Sequence, residues 1–164
     1  MPPDPPAAHT AAELDALVGL LPRSATVVIG HGRDEASTAA ARAFAARWQA
    51  GVGSVLDVVD WPEQAASWLR QARRFTAPAP DAWVVAGGPR GWAGMSRRLR
   101  RSTDWDPART AGFASAGSAL AAALAGPGTL DGLRGATADG RTWQLGDGGA
   151  QSADSGRFAD GDLT

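Results

Sequence analysis

Apolar residues in this chain fall into two alternating patterns, short unbroken runs and longer stretches in which they recur every three or four positions. Unbroken runs such as VVI and WVVA are typical of strands buried on both faces. Stretches with a single apolar stripe, such as the alanine-rich one that carries Phe44 and Trp48, are typical of helices packed on a sheet. The runs predict strands over 25–29, 52–60, 81–88 and 109–115, and the stretches predict helices over 34–50, 62–75, 91–101 and 117–126.

The two ends of the chain depart from this pattern. Residues 1–10 are rich in Pro and Ala and predict a mobile arm, after which Thr10, with Glu13 three positions later, marks the start of a first short helix. The stretch GRTWQLGDG predicts a short edge strand or hairpin arm. Residues 146–164 are rich in Gly, Asp and Ser and predict a disordered acidic tail. A single domain over 11–145 is therefore expected.

Strands that alternate with helices require crossover connections, which place the strands parallel to one another. The predicted fold class is α/β: a three-layer sandwich with a mostly parallel sheet of four to five strands, Rossmann-like or flavodoxin-like. In sheets of this kind ligands bind beyond the carboxyl ends of the strands.

Composition excludes several kinds of chemistry. The chain has no Cys, Lys or Tyr, which removes thiolate nucleophiles, Cys-based metal sites, disulfides and Schiff-base lysines. The net charge is −1 and no apolar run is long enough to span a bilayer, so neither nucleic acid nor a membrane span is expected. The first residues lack the basic start and apolar run of a secretory signal, which predicts a cytoplasmic location.

Glycine, arginine and tryptophan cluster at the predicted carboxyl ends of the strands. Glycines let a ligand approach the backbone, arginines offer paired donors to an anion, and tryptophans offer flat apolar walls. A structural role remains the alternative, since glycine ends many strands and tryptophan often covers a core. The ligand predicted from these residue types is a small molecule, either anionic or amino-acid-like. The predicted binding residues are His31, Gly32, Arg33, Asp60, Trp61, Gly87, Gly88, Arg90, Trp92 and Ser115.

His31 lies between two glycines where a strand gives way to a helix. A histidine at a helix N-terminus tends toward its neutral form, which suits metal ligation or general-base work, so His31 is also a candidate metal ligand. The alternative is a turn histidine bonded to the local backbone. A zinc site needs three or four ligands. The only residues nearby in sequence that could complete one are Asp34, Glu35, Asp57 and Asp60.

The same turn approaches the dinucleotide-binding fingerprint, with Gly30 and Gly32 directly after a strand. Glu35 stands where the third glycine is needed, and its carboxylate would repel a pyrophosphate. No cofactor is predicted.

Three successive segments, PDAWVVAGGPRGWAGMSRRLRR, ARTAGFASAGSALAAAL and TLDGLRGATADGRTWQL, resemble the later part of a type I periplasmic substrate-binding protein, the fold of branched-chain amino-acid binding proteins. The likeness covers residues 25–145. Family members close two lobes on a ligand, and this chain has the length of one lobe, so a second copy or another protein would complete the cleft. The resemblance implies that the ligand touches His31, Arg33, Gly87, Gly88 and Ser115.

A second resemblance lies in VVIGHGRDEASTAAARAFAARW and VLDVVDWPEQAASWLRQ, which are similar to the start of the small tetrapyrrole chelatases. In that family the histidine that matches His31 helps to bind metal. A second histidine follows the third strand in those enzymes, whereas this chain reads AGGPRGWAG there. The leading hypothesis is a non-enzymatic small-ligand-binding or protein-interaction module. The alternative is a chelatase-like enzyme or an inactive descendant of one, so enzymatic activity stays open.

Overall fold

The computed structural model describes residues 5–146 and 149–152. In this part of the chain, strands and helices alternate as the apolar pattern predicts, with short 3-10 turns at Pro107–Arg109 and Ala114–Gly117. The strands are β1 (Thr26–Gly32), β2 (Ser54–Trp61), β3 (Ala82–Ala86), β4 (Thr110–Gly112), β5 (Arg134–Ala136), β6 (Thr142–Gly146) and β7 (Gly149–Ser152). The helices are α1 (Ala11–Gly19), α2 (Glu35–Gln49), α3 (Leu69–Thr76), α4 (Pro89–Ser102) and α5 (Ala119–Ala125).

The strands form one sheet in the order β2-β1-β3-β4-β5-β6-β7. From β2 to β5 each strand is parallel to its neighbour, and β6 and β7 are antiparallel. The α/β class and the mostly parallel sheet are confirmed, and the antiparallel pair makes the sheet wider than the four to five strands expected. β5 is the unpredicted parallel strand, because three residues are too few to show a pattern.

The helices cover the sheet on both faces, as a three-layer sandwich requires. Leu17 of α1 and Phe44 of α2 pack with Ile29 on one face, whereas Phe75 of α3 and Leu99 of α4 belong to the core on the other face, which α5 also covers. Alternate residues of β1 supply both cores because successive side chains of a strand point to opposite faces. Among the described residues, no helix is both long and apolar enough to cross a bilayer.

α3 begins at Leu69, seven residues later than the start predicted from Pro62. The Trp68 indole N–H donates to the Pro62 carbonyl oxygen at 3.0 Å, and the hydroxyl of Ser67 accepts from the Leu69 N–H at 3.2 Å. A helix over these residues would need the Pro62 carbonyl for its own backbone bonds. The side-chain bond therefore holds 62–68 as a loop.

Residues 5–10 lie against the domain, unlike the mobile arm expected for 1–10. The His9 ring meets the edge of Phe113 with centroids 6.0 Å apart, and the Thr10 hydroxyl donates to the Ala138 carbonyl oxygen. At the other end, Gly146 and residues 149–152 belong to the β6–β7 hairpin, within the span expected to be a disordered tail. The rest of both predictions, over 1–4, 147–148 and 153–164, lies outside the described residues.

Candidate functional site

The carboxyl ends of the parallel strands form the edge predicted from the sequence. His31 in β1 is paired in register with Asp60 of β2 and Ala86 of β3. The turn after β4 is tied to the same edge, because the Ser115 hydroxyl donates to the Gly87 carbonyl oxygen at 2.7 Å. The fold therefore brings residues from four strand ends together.

Two recesses open at this edge, one on each side of the β1 terminus. The His31 recess has a volume of about 310 Å³ and the Glu13 recess a volume of about 300 Å³. Both volumes are at the small end of the range of about 300–1,000 Å³ typical of ligand pockets. The His31 recess is lined by residues that include His31, Arg33, Thr38, Arg42, Val58 and Asp60. The Glu13 recess is lined by residues that include His9, Glu13, Ser37, Gly87, Phe113 and Ser115.

Five of the ten predicted binding residues line these recesses, three in the His31 recess and two in the Glu13 recess. Gly32 and Gly88 are buried at the ends of the strands, and Arg90 is exposed in the first turn of α4. Gly32 keeps the extended backbone of a strand, and a Cβ there would lie 2.9 Å from Asp34 Oδ1. Glycine is therefore required at this position because the backbone of Gly32 lies close to the Asp34 side chain, which caps α2.

Trp61 and Trp92 do not line the edge, so the prediction that they form its apolar walls is wrong. Both side chains are fully buried, and their rings stack with centroids 5.9 Å apart. Phe75 contacts Trp61 edge-on and Trp105 contacts Trp92 edge-on. The pair fills the core between β2 and α4, because burial of two large aromatic surfaces outweighs their use as exposed walls. Neither indole N–H has a hydrogen-bond partner.

His31 is bonded to its local backbone, with 2.6 Å between Nδ1 and the Gly32 carbonyl oxygen. Since a carbonyl only accepts, Nδ1 is the donor in this contact. This geometry matches the turn-histidine alternative. Within the described residues no group of three or more His, Cys, Asp or Glu side chains could hold a metal ion. The chelatase alternative therefore lacks its ligand set in this part of the chain.

Arg33 is held by a partner from β2 rather than directed to a ligand. Its guanidinium lies 3.4 Å from Asp60 Oδ1, with the two side chains 56% and 52% exposed. A pair exposed to this degree contributes about 0–1 kcal/mol. It still neutralises the arginine that was expected to attract an anion.

Three helix N-termini meet this edge, and each is occupied by a carboxylate of the chain itself. Glu13 completes a capping box with Thr10 at α1, and Asp34 caps α2 by accepting from the Ser37 N–H at 2.9 Å. At α4 the Glu63 carboxylate oxygens lie 2.9 Å and 2.6 Å from the points where Cβ atoms on Gly88 and Gly91 would be. Because helix N-termini are the places that favour anions, these carboxylates take the positions that an anionic ligand would use.

Of the polar residues in the Glu13 recess, the sequence identified Ser115 but not His9, Glu13 or Ser37. Thr10 and Glu13 were recognised as a capping box, but the box gives no sign that its carboxylate is buried, with only 4% of Glu13 exposed. A further hydrogen bond holds the Glu13 side chain in place: Glu13 Oε2 accepts from the backbone N–H of Ala114, which is far away in sequence, at 2.8 Å. Ser37 looked like an ordinary first-turn residue, and nothing local distinguishes it.

Two carboxyl groups outside the Glu13 recess, those of Asp81 and Asp139, have a pKa below the ordinary value. The backbone N–H of Thr26, followed by its hydroxyl, lowers the pKa of Asp81 below the ordinary value. The hydroxyl of Thr137 lowers the pKa of Asp139, on the turn after β5. Both shifts come from hydrogen bonds that favour the carboxylate form.

Comparison with solved structures gives matches over most of the chain. A structure described as a branched-chain amino acid ABC transporter from Rhodospirillum rubrum matches 76% of this chain and 36% of its own, with a TM-score of 0.62 and 19% identity. One described in the same terms from Silicibacter pomeroyi matches 77% and 34%, with a TM-score of 0.63 and 18% identity. An extracellular ligand-binding receptor from Rhodopseudomonas palustris matches 76% and 33%, with a TM-score of 0.58 and 18% identity.

The chain thus spans about a third of the length of the structures it matches. No protein-family model and no curated protein matches the sequence.

The prediction of a cytoplasmic location is contradicted by these matches, which include an extracellular ligand-binding receptor. That prediction rested on the composition of the first residues alone, whereas the match rests on three-quarters of the chain. The resemblance stated from the sequence is confirmed at the level of fold: the chain has the architecture of one lobe of a type I periplasmic substrate-binding protein.

Proposed function

We propose that this chain is a non-enzymatic module that binds a small molecule at the carboxyl-end edge of its sheet. The observation that carries the proposal is the Glu13 recess, in which the Ser37 hydroxyl and His9 Nδ1 are buried without a hydrogen-bond partner. A buried polar atom without a partner costs about 1–3 kcal/mol. A ligand that bonds these atoms would remove that cost.

The matched proteins are described as transporters and ligand-binding receptors, and this chain has the fold of one of their lobes. One lobe supplies one wall of a cleft, and a ligand held by one wall keeps much of its surface in water. The second wall, in this proposal, comes from a second copy of this chain or from another polypeptide.

The ligand contacts proposed from the edge are Gly87 and Ser115 in the Glu13 recess, with His31, Arg33 and Asp60 on the adjoining His31 recess. Gly32, Gly88 and Arg90 frame the same edge. Trp61 and Trp92 are not part of the proposal because they belong to the core.

A thermal-shift screen of amines, alcohols, carboxylates, amino acids and nucleotides tests the proposal, since a ligand that binds only the folded state raises its stability. The gain is about 2.7 kcal/mol at roughly a hundred times Kd. Ala36 lines the Glu13 recess and Ala39 is exposed on the same helix. Ala36→Phe should fill the recess and abolish the shift, and Ala39→Phe should leave it intact.

The proposal fails if no compound shifts the melting temperature, or if Ala36→Phe binds as well as the unmodified chain. Circular dichroism of both variants controls for folding. Sedimentation velocity with and without the bound compound then reports whether a second copy closes over it.

A further inference from the structure

We propose that the Glu13 recess selects a small primary amine with a short branched apolar body and no carboxylate. This inference deepens the proposed function and rests on it. It departs from an amino-acid-like ligand, because the charges around the recess are of one sign.

The recess has a carboxylate and no arginine among its lining residues, and the chain contains no lysine. Only 4% of Glu13 is exposed. Each of its carboxylate oxygens accepts one backbone N–H, one from Thr10 at 3.3 Å and the other from Ala114 at 2.8 Å. A carboxylate has about four lone-pair sites, so acceptor capacity remains. An alkylammonium is charged at neutral pH, as the lysine side chain is, and would supply the missing positive partner.

The unpartnered atoms add two further acceptors. The Ser37 side chain is 3% exposed, and its Oγ has no partner although the residue lines the recess. His9 Nδ1 is buried without a partner and accepts a bond when the ring proton is on Nε2. A primary ammonium has three N–H donors, and in this proposal the Glu13 carboxylate, the Ser37 hydroxyl and the His9 imidazole each accept one of them.

The remaining walls set the body of the ligand. Phe113 and the alanines at positions 40 and 86 are almost fully buried and line the recess. These surfaces bond no polar group, so they favour a short aliphatic chain. A volume of about 300 Å³ leaves room for a small molecule only.

The dipoles of α1 and α2 oppose this assignment, because helix N-termini attract anions with about half an elementary charge each. Glu13 and Asp34 already cap those two termini with full negative charges. An incoming carboxylate would meet two like charges, so repulsion exceeds the dipole attraction. The same argument excludes an amino acid, whose carboxylate would have to enter beside Glu13.

The test compares isopentylamine, isopentanol, isovalerate and leucine by isothermal titration calorimetry on the full chain at neutral pH. The four share a branched body and differ in head group. Isopentylamine should bind at least about tenfold more tightly than isopentanol, since a hydrogen bond between two charged groups is stronger than one from a neutral hydroxyl. Isovalerate and leucine should show no measurable binding at millimolar concentration.

Ser37→Ala is the decisive variant because nothing in the described fold bonds to that hydroxyl, so the domain keeps its structure. Isopentylamine affinity should fall about tenfold. Ser96→Ala is the matched control: Ser96 is also fully buried, but its hydroxyl donates to the Ala93 carbonyl oxygen at 2.9 Å on α4. Its affinity for isopentylamine should be unchanged.

Tighter binding of isovalerate or leucine than of isopentylamine overturns the inference while leaving a ligand-binding function in place. Equal binding of isopentanol and isopentylamine, unchanged affinity in Ser37→Ala, or no binding of any of the four compounds also overturns it. The proposed function fails separately, through the screen and the Ala36→Phe variant.

Discussion

The two edges of the sheet differ in how they treat buried polar atoms. At the amino-end edge the indole N–H groups have partners: Trp48 donates to the Ala25 carbonyl oxygen at 3.0 Å and Trp83 to the Phe75 carbonyl oxygen at 2.9 Å. In the core nearer the carboxyl ends of the strands the indoles of Trp61 and Trp92 have none, although Trp68, in the loop after β2, donates to the Pro62 carbonyl oxygen at 3.0 Å.

Other polar groups follow this contrast only in part, because the Ser115 hydroxyl at the carboxyl-end edge does donate, to the Gly87 carbonyl oxygen at 2.7 Å. At the amino-end edge Thr26 and Asp81 exchange bonds, from the Thr26 N–H at 2.9 Å and from the Asp81 N–H at 3.0 Å. At the carboxyl-end edge, Ser37 Oγ and His9 Nδ1 are unpartnered. Among the described residues, Arg134 Nε departs from this contrast, because it is buried without a partner although it lies at the amino end of β5. Since folds normally satisfy buried polar groups, the two unpartnered atoms at the carboxyl-end edge support the proposal that this edge contacts another molecule.

The largest effect should come from replacing two buried tryptophans with phenylalanine, Trp83 near the amino ends of the strands and Trp61 near their carboxyl ends. Trp83→Phe removes a buried hydrogen bond and the contact with the Arg109 guanidinium, which lies 4.8 Å from the ring centroid. The expected loss is about 2–4 kcal/mol of unfolding free energy. Trp61→Phe removes no bond and should cost about 1–2 kcal/mol. Urea unfolding followed by circular dichroism measures both, and equal losses would remove the contrast between the edges.

A smaller effect is expected for two buried hydroxyls. Thr110 is fully buried, accepts from the Trp105 indole N–H at 2.9 Å and donates to the Asp106 carbonyl oxygen at 3.0 Å. Thr110→Val should cost about 1–3 kcal/mol because both partners lose a bond. Ser37→Ala should not destabilise the fold and should raise its stability by up to about 1–3 kcal/mol, since its hydroxyl has no partner to lose and the cost of an unpartnered buried group disappears. A destabilisation by Ser37→Ala as large as that of Thr110→Val would show that Ser37 belongs to the stable framework.

The smallest effect concerns pH. Hydrogen bonds from Thr26 lower the folded-state pKa of Asp81, so the carboxylate stabilises the fold above its unfolded pKa of about 4 and loses that contribution as the pH falls through the folded value. Asp81→Asn should therefore melt at a slightly lower temperature than the unmodified chain at neutral pH. The two curves should converge as the pH falls through the folded-state pKa of Asp81. Asp104→Asn, at an exposed carboxylate, is the control.

Much of the fold was predictable because strands buried on both faces and alanine-rich helices leave clear patterns in sequence. The start of α3 was not, since it depends on a bond between Trp68 and Pro62 that no local rule anticipates. The carboxyl-end edge was predicted from Gly87 and Ser115, and both line a recess there. The burial of Trp61 could not be read from the sequence, because an aromatic residue at a strand end fits a core and a mouth equally well.

The acidic character of the edge was also hidden. Glu13, Asp34 and Glu63 are far apart in sequence, and only the crossovers bring their helix termini together. Local reasoning identified Glu13 as part of a helix cap, but it did not identify Asp34 as a cap or place Glu63 at the start of α4. It could not show that they share an edge.

The most direct test of the account is a two-dimensional amide NMR titration with isopentylamine. The resonances of Ser37, Gly87 and Ala114 at the carboxyl-end edge should shift with saturation, while those of Thr26 and Asp81 at the amino-end edge should stay fixed. Shifts at the amino-end edge instead, or shifts spread equally over both edges, would contradict the assignment of the carboxyl-end edge as the binding surface.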